Sequence, residues 1–162
     1  MTISKAIITA AAPNQRTLPL QTLVDRDGHQ KSVLNIIVEE ARRAGIDDIC
    51  VVVSPGDDGA YRQAAGEQTG KLTFVTQNEP RGYAHAVFAA RDFAAGEPFL
   101  HMIGDHVYAG TQGRNAAQQL VEVAQREACS VSAVQPTREN LLPFFGTVGG
   151  NRIKGSKNLY MV

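Results

Sequence analysis

Two cysteines, no net charge and no long apolar run set the first limits on this 162-residue sequence. Sixteen Lys+Arg balance sixteen Asp+Glu. That balance argues against a broad nucleic-acid or anionic-membrane surface, although a small local phosphate site would not show in the total. No apolar run approaches the ~20 residues that a membrane-spanning helix needs. Residues 1–16, MTISKAIITAAAPNQR, carry one Lys and a short apolar stretch, without the longer apolar region and cleavage site of a signal peptide. The expected compartment is the cytoplasm. Cys50 and Cys129 stand in β-branched runs, DDICVVVS and ACSVSAVQ, and are read as reduced thiols of buried strands. The absence of CxxC disfavours a structural zinc site. There is neither an internal repeat nor a low-complexity segment. What remains, 43% hydrophobic and 20% charged, is the profile of one globular domain able to bury a core without staples.

Short β-rich runs alternate with segments of helical period. Lys5–Ala10 reads as a first strand, followed by a turn-rich stretch to Gly28. Ser32 caps a helix with Val33, Ile36, Ile37, Ala41 and Ala44 at helical spacing and Gly45 as its stop. The unbroken run Ile49–Val53 is the mark of a parallel strand covered on both faces. A weaker helix is expected from Asp58 to about Gly66, then a strand at Leu72–Thr76. A small-residue helix follows Gly82 to near Gly96, and a strand at Phe99–Ile103 delivers Asp105. Thr111 is the expected cap of a helix bearing Leu120, Val121, Ala124 and Ala128. A fifth strand is expected at Cys129–Val134, and short strands at Phe144–Val148 and Leu159–Val162. The alternation predicts a doubly wound, mostly parallel α/β sheet with helices on both faces. Ligands of such sheets bind beyond the carboxyl ends of the strands. The chain stops at Val162 within an apolar strand-like run, which reads as a truncation and an edge open to pairing with a second copy.

Three segments follow strands and carry chemistry. Ala10–Arg16 is rich in small residues that let backbone N–H groups approach a ligand, and the planar fork of Arg16 suits a phosphate; a plain surface turn is the competing reading. It is neither the dinucleotide GxGxxG nor a Walker loop. In Gln77–Val87, the Gln77 amide offers a donor and an acceptor to a base edge, and Gly82 allows close backbone approach. His85 is read as a structural histidine. Asp105, at the end of a central strand, suits Mg²⁺ completed by substrate phosphates. A metal site of His101, Asp105 and His106 is a remote alternative, because His101 and Asp105 lie ~13 Å apart along a strand.

In order and spacing, KAIITAA…R-x-LP, EEARRAGIDDICVVV, Q-x(4)-G-x(2)-HAV and EPFLHMIGD resemble the sugar-nucleotide pyrophosphorylases, most of all the bacterial UTP–glucose-1-phosphate uridylyltransferases. The likeness runs from Lys5 to about Val148. It implies a Rossmann-like fold and transfer of a uridylyl group from UTP to a sugar 1-phosphate, with glucose 1-phosphate the expected one. The family's triphosphate-cradling loop falls on Ala12-Pro13-Asn14-Gln15-Arg16, which with the preceding residue implies Ala11, Ala12, Asn14, Gln15 and Arg16 as nucleotide-binding; its base-contacting Gln and Gly fall on Gln77 and Gly82. Its Mg²⁺-binding Asp falls on Asp105, and its sugar-side Tyr/Phe-Gly on Phe145-Gly146. The resemblance thus implies Arg16 and Asp105 as catalytic residues, Mg²⁺ as cofactor, UTP and a sugar 1-phosphate as partners, no nucleic acid and no membrane. Three departures stand beside it. Both loop glycines are replaced. A family Lys has no counterpart in Gln21–Asp25, where only Lys31 follows. The family's Glu-Lys-Pro motif and second metal-binding Asp would lie beyond Val162, so residues 1–162 are expected to be the nucleotide-binding portion and inactive alone. The alternative is a family member that binds nucleotide without turnover.

Overall fold

The structure, a computed structural model, describes residues 1–13, 16–25, 27–110 and 113–162. Two compact units emerge, Met1–Val131 and Ser132–Val162. In the first, strands β1 (Lys5–Thr9), β4 (Asp48–Val53), β5 (Leu72–Thr76) and β6 (Phe99–Ile103) form a parallel sheet in the order β5-β4-β1-β6. Between β1 and β4 lie β2 (Thr22–Val24), β3 (Gln30–Ser32) and α1 (Val33–Arg43); α2 (Asp58–Ala65) joins β4 to β5. Helices α3 (Tyr83–Ala89) and α4 (Arg91–Ala94) join β5 to β6, and α5 (Ala116–Glu127) follows β6.

Strand alternation explains the two covered faces. Ala6 and Ile8 of β1 join Ile49, Val51 and Val53 of β4 in one apolar cluster, closed by Leu34 and Ile37 of α1, Tyr61 of α2 and Val121 of α5. The intervening Ile7, Cys50 and Val52 face the other way, where Ala86 of α3 and Ala94 of α4 cover them. A strand buried on both faces needs apolar residues at every position, which is why Ile49–Val53 shows no polar interruption. Adjacent, parallel strands starting at Lys5, Asp48, Leu72 and Phe99, with Cys50 fully buried, match the sequence expectation.

Local chemistry sets the helix ends. The Ser32 hydroxyl accepts the Asn35 N–H at 3.1 Å and donates to the Ala64 carbonyl at 2.9 Å, so one side chain caps α1 and ties it to α2. Ala44 ends α1, and Gly45 follows at φ +80°, a left-handed turn that glycine adopts without penalty. At α5, Asn115 and Gln118 form a reciprocal capping box. The buried Glu40 carboxylate accepts the Ala117 N–H at 3.1 Å, locking α5 against α1. Thr111 lies outside the described residues; the cap of α5 is Asn115.

Several expectations are corrected. The turn-rich stretch up to Gly28 contains β2, which pairs antiparallel with β3 just beyond it, and the Asp25 carboxylate accepts two backbone N–H groups across the turn between them. The helix after Gly82 is two helices, because Ala90 at φ −90°, ψ +13° interrupts the helical path. Ala128 is exposed at the left-handed end of α5, and Cys129–Val134 is irregular with Cys129 exposed. β-Branched residues fit a pleated, half-buried surface rather than create one, and this run has no ladder partner among the described residues.

The second unit holds a 3-10 turn at Glu139–Phe144 and an antiparallel pair, β7 (Asn151–Arg152) with β8 (Tyr160–Met161). The expected strand at Phe144–Val148 is therefore the end of a turn followed by irregular chain. The expected strand at Leu159–Val162 shortens to β8. No helix among the described residues is long and apolar enough to cross a membrane.

Candidate functional site

In the sheet order, the chain leaves β1 toward β4 and β5 on one side, then returns to place β6 on the other. The carboxyl ends of β1 and β6 therefore flank the topological switch point, where parallel sheets open a crevice. A cleft of about 200 Å³ lies there, lined by Ala11, Ala12, Gln77, Gly82, Tyr83 and Asp105 among others.

The β1 end is pinned from three directions. The Ala10 N–H donates to the Val52 carbonyl at 2.8 Å, and the Ser54 hydroxyl donates to the Ala11 carbonyl at 3.2 Å. The Tyr61 hydroxyl, on the buried face of α2, reaches the carbonyls of both Ala10 (3.0 Å) and Arg16 (2.5 Å). Tyr61 thus closes the loop at both ends. Burial, with the nearby Asp57 charge adding to it, pushes its phenol well above the usual range, so it stays a hydrogen-bonding group. Arg16 itself faces Asp57, Nε to Oδ2 at 3.6 Å, an ion pair longer than a hydrogen bond. That contact leaves the two terminal guanidinium nitrogens of Arg16 for other acceptors. Asn14 and Gln15 lie outside the described residues.

Gln77 follows β5 and is buried, with its N–H on the Val53 carbonyl at 2.9 Å. Its side-chain Nε2 lies 3.2 Å from the Gly82 carbonyl and 3.1 Å from His85 Nδ1. Gly82 has φ +95°, a region that strains any L side chain, yet an added Cβ would meet nothing within 4 Å. The glycine is required by its backbone angle rather than by crowding in the free protein.

Across the cleft, Gly104 brings β6 hard against β1: its N–H donates to the Thr9 carbonyl at 2.8 Å, and a Cβ would sit 2.9 Å from that of Ala10. Asp105 follows immediately. Its side chain is 12% exposed, and its Oδ1 accepts from His106 Nδ1 at 2.7 Å. The contact engages Oδ1 alone, which leaves Oδ2 for a cation at the cleft. His101 stands apart in a separate chain, with Tyr83 Oη at 2.7 Å from Nδ1 and Thr9 Oγ1 at 3.0 Å from Nε2. Burial holds the His101 imidazole below its ordinary value and the Tyr83 phenol above its own. Among the described residues there is no cluster of three metal-ligating side chains.

Ala11, Ala12, Gln77, Gly82 and Asp105 are thus brought to one cleft, with Arg16 anchored at its loop. Gly146 belongs to Ser132–Val162, where it is exposed in irregular chain. Tyr61, Asp57 and the Tyr83–His101 pair escaped the sequence reading. For Tyr61 a signal existed: a tyrosine on the apolar face of a helix needs a partner for its hydroxyl.

Comparison with known proteins is consistent in direction. The nucleotidyl transferase family model matches residues 20–151. The UTP–glucose-1-phosphate uridylyltransferase of Staphylococcus haemolyticus is 30% identical over 172 residues, covering 90% of this chain and 59% of that protein. Its namesake in Bacillus subtilis is 29% identical over 173 residues, covering 90% and 58%. A UDP-glucose pyrophosphorylase solved with UDP-glucose superposes with a TM-score of 0.75 at 19% identity, covering 94% of this chain and 65% of that one. A UTP-bound UGPase from Acinetobacter baumannii superposes at 0.61 and 21% identity, covering 78% and 54%. The chain thus spans about three-fifths of the length of the curated relatives it matches.

Proposed function

The chain belongs to the nucleotidyl transferase family, and from that premise we propose that residues 1–162 form the nucleotide-binding portion of a UTP–sugar-1-phosphate uridylyltransferase, with glucose 1-phosphate as the sugar substrate. The observation that carries the reading is the cleft at the switch point, where a buried amide, Gln77, and a strand-end carboxylate, Asp105, face one space.

In this reading a phosphate oxygen of the sugar 1-phosphate attacks the α-phosphorus of UTP in line, the α–β bridging bond breaks, and pyrophosphate leaves. No covalent enzyme intermediate is needed, so the residues act by positioning and charge neutralisation. Gln77 and the Gly82 backbone hold the base. The terminal nitrogens of Arg16 bind the triphosphate while Asp57 fixes the guanidinium from its Nε side. Asp105 fits a Mg²⁺ ion, since a single hard carboxylate oxygen completed by phosphates and water is the usual donor set of that cation. Bound there, Mg²⁺ would neutralise charge on the phosphates. Gly146 is proposed on the sugar side, and a cytoplasmic location is proposed with it.

Nucleotide binding is proposed for this chain and turnover for the whole protein. The test is pyrophosphate release by the full-length protein from UTP and glucose 1-phosphate in Mg²⁺, with rates of ~1 s⁻¹ or faster expected. UTP binding without pyrophosphate release would assign the protein to nucleotide binding alone, the reading favoured by the missing family lysine.

A further inference from the structure

We propose that His85 is a positioning residue for base selection: by accepting the second N–H of the Gln77 amide it leaves only the amide oxygen for a ligand, so that the cleft selects a base presenting a ring N–H. This rests on the reading of the cleft as a pyrimidine-nucleotide site.

An amide nitrogen carries two N–H groups and the amide oxygen only lone pairs. The Gly82 carbonyl can only accept, so the amide end 3.2 Å from it is the nitrogen, and the orientation of Gln77 follows from that contact. The same nitrogen lies 3.1 Å from His85 Nδ1. Nδ1 must therefore accept, which places the imidazole proton on Nε2. Both N–H groups are then taken, and Oε1 has no partner among the described residues. Gln77 is 4% exposed and lines the cleft, so a ligand meets an acceptor held in place by two bonds.

Such an acceptor suits uracil or thymine, each with an N–H at the third ring position. Cytosine carries a lone pair at that position, and two acceptors would face one another. Held by the Gly82 carbonyl alone, the amide would have a single 3.2 Å bond to give up before turning about its last torsion to offer an N–H to cytosine. His85, one turn into α3, removes that option.

Three measurements test this. Long-range ¹H–¹⁵N spectra of the wild-type protein should show neutral His85 as the Nε2–H tautomer; the Nδ1–H tautomer would overturn the proposal without any variant. Affinities for UTP and CTP, measured by titration calorimetry at one Mg²⁺ concentration, should favour UTP. In His85→Phe, which keeps an aromatic ring but lacks the acceptor, the UTP:CTP ratio should fall about tenfold, the scale of one hydrogen bond gained or lost. His85→Asn places an acceptor oxygen where Nδ1 stood and should restore the ratio. A wild-type ratio near one would overturn the base-selection reading and this proposal together. A wild-type preference for UTP that persists in His85→Phe would overturn the role of His85 alone.

Discussion

The Tyr61 hydroxyl lies 2.5 Å from the main-chain carbonyl of Arg16, and 3.0 Å from that of Ala10 at the other end of the same loop. One phenol on the core face of α2 therefore spans the mouth of the loop that follows β1. The single hydroxyl proton is shared between two carbonyls that would otherwise lose their partner.

Tyr61→Phe keeps the ring and deletes the tie. Stability is expected to fall by about 1–3 kcal/mol, the cost of leaving the buried Ala10 carbonyl unsatisfied. Urea unfolding should show a lower midpoint with unchanged slope. UTP affinity should fall with it, because the Arg16 backbone is no longer fixed.

Asn115→Ala removes a capping box and, with it, the bond from Asn115 Nδ2 to the Glu40 carbonyl at 2.8 Å. A stability loss of about 1–2 kcal/mol is expected from the cap. Circular dichroism in urea measures it, and UTP affinity should stay close to wild type.

The two thiols should behave oppositely. Burial pushes Cys50 up to about 12, while Cys129 is exposed. Under native conditions a colourimetric thiol reagent should modify one cysteine per chain, Cys129, and two after denaturation. Rapid modification of Cys50 in the folded protein would contradict its place on β4.

His101 links pH to stability. Burial lowers its folded value below the ordinary 6.5. Above 6.5 the imidazole is neutral in both states and adds no pH dependence. As the pH falls below 6.5 the unfolded chain takes up the proton first, so stability declines toward the lower folded value. His101→Gln, unable to titrate, should flatten that part of the curve in urea unfolding measured from pH 7.5 to 5.

Much of the fold was legible because it is written in local pattern. An apolar, β-branched run without interruption, Ile49–Val53, carries the mark of a strand covered on both faces, and Ser32 before a 3.6-residue period marks the start of α1. The position of Asp105 at the cleft was legible for the same reason: it follows a strand whose end faces the crevice. What was not legible depends on partners far away in sequence. Cys129–Val134 has strand composition but no strand to pair with, and the β2–β3 pair needs only three residues on each side. His85 was read as structural, and its contact with Gln77 follows only once α3 is set beside the end of β5.

On the proposed function, the cleft between the ends of β1 and β6 holds a nucleoside triphosphate through a cation bound at Asp105. Calorimetric titration of UTP, in Mg²⁺, into wild type and Asp105→Asn is the decisive experiment. The substitution keeps the size and the contact with His106 but removes the charge. An affinity loss of about tenfold or more is expected, as for a charge-assisted contact. Equal affinities in the two proteins would contradict it.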